Sequence, residues 1–191
     1  AKLWRFVQEL NEKYATAVIS DTNTMLKLAD KRILHKIGNK LWYGLQDTQY
    51  YSNPEELVTG FNNHAKNAAS FQHNVTERVL KMNRGRSGKS VIKVAISSST
   101  ITCSDVSKPN EPSRMYQSAH ELVRKEEELF PFQDGISWID MRFLPHITDG
   151  EVRLIMDGDE CISVMQRPNF GALCATAGLA WSPVNIKGED L

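Results

Sequence analysis

The chain has little cysteine, no excess of either charge and no long apolar run. Cys103, Cys161 and Cys174 are its only cysteines. Three widely spaced thiols without a C-x-x-C pair supply neither a disulfide framework nor a zinc ligand set, and they point to a reducing compartment, the cytoplasm. Lys plus Arg and Asp plus Glu number 23 each, so no global field draws the chain to nucleic acid or to an acidic membrane surface. No segment reads as a signal peptide or a membrane span, which makes Asn74-Val75-Thr76 a coincidental sequon. His35, His64, His73, His120 and His146 show neither metal-ligand spacing nor a nucleophile partner. What remains is an ordinary globular composition, 41% hydrophobic and 24% charged over 191 residues, enough to bury a core in one large domain or two small lobes.

One stretch organises the rest: Glu77 to Ile96, ERVLKMNRGRSGKSVIKVAI. Arg78 to Met82 and Val91 to Ile96 read as strands, and Asn83 to Ser90 as a flexible cationic loop between them. Gly85 and Gly88 let the backbone approach a ligand, Ser87 and Ser90 add donors, and Arg84, Arg86 and Lys89 add positive charge. Lys81 alternates with Leu80 and Met82 and so points to the other sheet face. A polyphosphate suits such a loop; an exposed hairpin with solvated charges is the plain alternative. Gly88-Lys89-Ser90 also matches the tail of a P-loop, but that motif needs a glycine where Asn83 stands and a helix after Ser90.

In chain order, Leu3, Phe6, Val7, Leu10 and Tyr14 repeat at helical spacing, and 17–19 reads as a short buried strand. Asp21 to Asn23 cap a second helix carrying Leu26, Ala29, Ile33 and Ile37 and stopping near Gly38. Asp47 to Tyr51 suits a strand, and Asn53-Pro54-Glu55-Glu56 starts a helix with Leu57, Phe61 and Ala65 on its buried face. Ser97 to Ser113 reads as a strand end and a flexible connection. Met115, Ala119, Leu122 and Val123 mark a further helix with a wet charged side. Ile136 to Leu144 is an apolar strand. Glu151 to Met156 and Cys161 to Met165 form a hairpin whose turn, Asp157-Gly158-Asp159-Glu160, explains its acids without a metal. Trp4, Trp42, Trp138 and Trp181 read as packing residues.

Taken in order, these pieces resemble the ATP-grasp ligases. The matching residues are Asp30-Lys31 at a helix end, Gly44 and DTQYY, then VLKMNRGRSGKSVIKV, then ISWIDMRFLPHI, then EVRLIMDGDECISVMQR. The glycine-rich segment is similar to an uncharacterised bacterial branch of that superfamily, and the last hairpin to glutathione synthetase and the ribosomal-protein glutamate ligases. The resemblance spans roughly Asp21 to Ile186. It implies an α+β fold of two lobes with antiparallel sheets clasping a nucleotide: the end of an α/β domain over 1–22, an N-lobe over 23–136 and a partial C-lobe over 137–191. It further implies ATP and magnesium as cofactors. The activity would be a carboxylate–amine or carboxylate–thiol ligase acting through an acyl phosphate.

Carried over by position, Lys31 and Lys81 touch phosphate, and Arg84, Gly85, Ser87, Gly88 and Ser90 cover the β and γ phosphates. Asp140 is the acid nearest the ribose at the adenine hinge, and Arg153 and Arg167 face the γ phosphate and the acyl phosphate. The pattern departs from the family in two places. Serines replace two loop glycines, which stiffens the lid, and PVNIKGEDL lacks the acid two residues ahead of Asn185 that would help hold magnesium. The chain begins inside a helical pattern at Ala1, so both ends are expected to be incomplete. The departures keep a second function open: a non-catalytic protein that binds ATP or another phosphate ligand on the same scaffold. The expected partners are a nucleotide and a small carboxylate, without nucleic acid or membrane; a homo-oligomer is compatible with the sequence.

Overall fold

The computed structural model describes residues 2–14, 27–38, 40, 47–70, 75–85, 90–106, 108, 110–127, 130–133, 135–157, 160–167 and 182–183. Helix α1, Lys2–Tyr14, is the first expected helix; the strand expected over 17–19 lies outside the described residues. The second expected helix does not run through. Lys27 and Leu28 are helical, the chain then turns, and α2 restarts as Arg32–Gly38. Asp30 is the reason. Its carboxylate accepts the Arg32 N–H at 3.0 Å, as a helix cap does, and the Lys31 N–H is diverted to the Asn83 carbonyl at 2.9 Å.

Helix α3, Pro54–Ser70, begins where its sequence signal places it. The Glu56 N–H donates to Asn53 Oδ1 at 2.9 Å while Glu56 Oε2 accepts the Ser52 N–H at 2.6 Å, so the two side chains satisfy two backbone donors at the start of the helix. Leu57 and Phe61 on its inner face are fully buried.

That face lies on an antiparallel sheet of six strands, β1 Gln49–Tyr51, β2 Val75–Met82, β3 Val91–Ser97, β4 Ile101–Asp105, β5 Arg114–Tyr116 and β6 Trp138–Arg142. Their order is β1-β6-β2-β3-β4-β5. Leu80, Ile92, Val94, Ile96, Cys103 and Trp138 alternate onto the α3 side and form one core with Leu57, Phe61 and Leu122. Each such apolar side chain contributes roughly 1.5–3 kcal/mol by leaving water. Val79, Lys81, Val91, Lys93 and Ala95 alternate onto the opposite, half-buried face.

The sequence reading misplaced three elements here. The Ser/Thr-rich stretch expected to be flexible contains β4, because the Ser97 hydroxyl accepts the Thr100 N–H at 2.9 Å and makes a tight turn. Met115, expected on a helix, lies exposed on β5; helix α4, Ala119–Lys125, starts later at a Ser118 cap that accepts the Glu121 N–H at 3.1 Å. The strand expected to open the second lobe at 137 pairs instead between β1 and β2, as β6.

A second, three-stranded antiparallel sheet holds β7 Glu151–Asp157, β8 Glu160–Arg167 and β9 Ser182–Pro183. The fold is therefore α+β, with antiparallel sheets as expected. No described helix is long and apolar enough to cross a membrane.

Candidate functional site

The site forms where the β2–β3 hairpin leaves the sheet. The Met82 N–H donates to the Ser90 carbonyl at 3.3 Å and the Gly85 N–H to the Met82 carbonyl at 3.2 Å, closing the hairpin base. Ser90 has φ 57°, the left-handed region that glycine enters freely and serine enters at about 1 kcal/mol. The loop thus takes a glycine-like backbone at a serine. Ser87 and Gly88, with Arg86 and Lys89, lie outside the described residues. After Ser90 the chain enters β3 directly, and this strand excludes the P-loop geometry, which requires a helix there.

Lys31 is drawn into this base by the break before α2. Its Nζ donates to the Gly85 carbonyl at 2.6 Å and the Met82 carbonyl at 3.3 Å. Burial lowers the Lys31 pKa, and the neighbouring Lys81 ammonium lowers it further, with Asp30 opposing. Lys81 rises from β2, opposite Val91 on one side and Ile139 on the other. The structure therefore brings Lys31, Lys81, Arg84, Gly85 and Ser90 to one place. Two ammoniums held together repel, and a bound polyanion relieves that repulsion.

Sequence reasoning undervalued Asn83, which appeared there only as the residue that rules out a P-loop. It is almost fully buried. Its side-chain N–H groups donate to the Gly135 carbonyl at 3.1 Å and to Asp30 at 3.3 Å, and its Oδ1 accepts the Ser137 N–H at 3.2 Å. One side chain so ties the Asp30–Lys31 turn, the hairpin and the entry to β6. Asp30 in turn holds Arg32 Nη2 at 2.6 Å and Arg84 Nε at 3.6 Å. Burial would raise the Asp30 pKa, but the Arg32 side-chain and backbone hydrogen bonds outweigh it and keep the carboxyl below its ordinary value.

Asp140 does not join this group. In the ladder it stands opposite Leu80, and Ile139 stands opposite Lys81, so Asp140 and Lys81 project from opposite faces of the sheet. Asp140 is fully buried. Arg78 Nε donates to one oxygen at 2.6 Å; the Tyr51 hydroxyl at 2.6 Å and His64 Nε2 at 2.9 Å share the other. Burial and the Asp140 charge push the Tyr51 hydroxyl pKa upward, so it stays a donor. Arg78 also holds Asp47 Oδ2 at 2.5 Å. The ribose role expected for Asp140 gains no support from this geometry: its carboxylate has three protein hydrogen-bond partners and neutralises a buried arginine. The arginine was the missed signal, a charge that alternates onto the same sheet face as Leu80.

Arg153 and Arg167 lie on the second sheet, where register brings them together. Arg153 stands opposite Met165 and Arg167 opposite Glu151, so both arginines share one face as diagonal neighbours. Arg167 is buried and paired with Glu151, while Arg153 is exposed. Among the described residues no group of three or more His, Cys, Asp and Glu side chains converges as a metal site. Compared with models of known protein families and with curated proteins, the chain matches none.

Proposed function

We propose that the chain is an ATP-dependent carboxylate ligase of the ATP-grasp type. One observation carries the reading: the Asp30 turn delivers the Lys31 ammonium to the base of the glycine-containing hairpin, beside Lys81. In this reading the two lysines hold the phosphates on the sheet floor. Arg84, Gly85 and the loop with Ser87, Gly88 and Ser90 close over them, and Arg153 and Arg167 serve the transferring phosphoryl group. A carboxylate oxygen of the substrate attacks the γ phosphorus and ADP leaves, giving an acyl phosphate. An amine or thiol then attacks the acyl carbon and releases phosphate. No protein nucleophile is needed, because positioned cations and backbone donors stabilise the charge. Magnesium, when bound with the nucleotide, would neutralise phosphate charge.

Calorimetric titration with a non-hydrolysable ATP analogue and magnesium tests the reading. Lys81→Ala should weaken binding tenfold or more, and unchanged affinity would refute the assignment. The absence of an acid two residues ahead of Asn185 favours a second reading, a nucleotide-binding protein without turnover. ADP release with a panel of carboxylates and amines supports the ligase; binding without ADP release supports the sensor.

A further inference from the structure

Beside the hairpin base lies a cleft of about 750 Å³, within the size range of small-molecule sites. Its described lining carries Lys27, Arg32, Lys36 and Arg84 against one acid, Asp30. Four positive side chains less one negative leave a local charge of +3 in a chain whose net charge is zero. This concentration has an internal cost. Arg32 and Lys36 stand one helical turn apart, a spacing at which like charges repel.

The cations are also sorted by geometry. Arg32 Nη2 lies 2.6 Å and Arg84 Nε 3.6 Å from the same oxygen of Asp30, Oδ2, which gathers two guanidiniums around one carboxylate. Lys27 and Lys36 have no ion pair among the described residues and are exposed. Tyr50 and Ile33 are the other described residues of the lining. The Tyr50 ring meets His35 edge-on at 5.2 Å, and His35 Nδ1 lies 2.6 Å from the Thr48 carbonyl, so this wall is braced from behind.

We propose that this cleft binds a small multivalent anion, a di- or tricarboxylate, and is the seat of the acidic substrate. Two oriented guanidiniums suit carboxylates, and two mobile ammoniums add attraction without demanding one geometry. The assignment of that anion as the substrate rests on the ligase reading; the anion site itself rests on the cleft alone.

Isothermal titration of the full chain with citrate, at low ionic strength, tests the inference, with and without a saturating non-hydrolysable ATP analogue and magnesium. Citrate should bind in both cases. Lys27→Glu and Lys36→Glu alter exposed side chains without an ion pair among the described residues, so the fold should be kept, which circular dichroism checks. Each should weaken citrate binding about tenfold and leave the analogue's affinity within twofold. Pyrophosphate in place of citrate separates the two anion chemistries, and tighter binding of pyrophosphate would overturn the carboxylate assignment. Displacement of citrate by the analogue, or citrate affinity indifferent to both reversals, would overturn the separate site. Citrate binding without any analogue binding would uphold the cleft and refute the ligase.

Discussion

Replacing Asp140 by asparagine tests whether this residue is a structural counter-charge. The carboxylate is fully buried, 2.6 Å from Arg78 Nε, 2.6 Å from the Tyr51 hydroxyl and 2.9 Å from His64 Nε2. Breaking a buried ion pair costs about 3–5 kcal/mol, because the surviving charge is stranded. Arg78 retains Asp47, 2.5 Å from its Nη1, and the asparagine oxygen remains an acceptor, so the lower end, about 3 kcal/mol, applies. At about 2–4 °C per kcal/mol for a chain of this size, Tm should fall by about 6–12 °C. The chemical denaturation midpoint should fall with an unchanged slope. The double variant Arg78→Met with Asp140→Leu removes both charges, and Asp47, whose side chain is 33% exposed, can hydrate. Its loss should be smaller than the sum of the two single losses by at least about 2 kcal/mol. An Asp140→Asn protein within about 0.5 kcal/mol of the parent, or an additive double variant, would refute the reasoning and return Asp140 to the candidates for ligand binding.

Gly60→Ala should destabilise by about 1–3 kcal/mol, because the added Cβ would meet the Tyr51 hydroxyl oxygen at 2.2 Å and its ring at 2.5 Å; a melting curve like the parent's would contradict that packing. Asn83→Ala should cost about 2–3 kcal/mol by leaving the Ser137 N–H and the Gly135 carbonyl without their Asn83 partners, and should weaken binding of the ATP analogue by loosening the Lys31 turn. Denaturation and calorimetry on one preparation check both effects. Stability should also decline in acid. The Asp30 and Asp47 pKa values are held below the ordinary 3.8, for Asp47 because the Arg78 hydrogen bond and charge outweigh burial. Their contribution is therefore complete above that value and is lost as pH falls through the lower folded values. Melting curves from pH 6 to pH 2 should show the loss beginning near pH 4, and Asp47→Asn should flatten it.

Much of the architecture was legible because its signals are local. The Asn53 and Glu56 pair marked the start of α3, β-branched and apolar runs marked β2 and β3, the Asp-Gly turn marked the β7–β8 hairpin, and the glycines and cations between β2 and β3 marked the loop. A further local signal went unused: Ser118 and Glu121 form a cap with Ser-x-x-Glu spacing, which places α4 after Met115. Other features were not legible. Lys31 and Arg32 inside a helical pattern read as solvated charges until Asn83 is brought against Asp30, and Asp140 reads as a hinge acid until the ladder turns it towards Arg78.

The sequence by itself determined most of the strands and helices, and that lysine, arginine and glycine gather around one loop, because hydrophobic periodicity, caps and turn residues act within a few positions. Tertiary structure decided which of those charges meet. Lys31 and Lys81 are 50 positions apart and Arg78 and Asp140 are 62 apart. The β2–β6 register, together with the break at Asp30, sends the lysine pair to the hairpin base and the Arg78–Asp140 pair into the core. Side-chain direction in a sheet reverses with every residue, so a slip of β2 by a single position would have turned Lys81 into the core and Arg78 out of it.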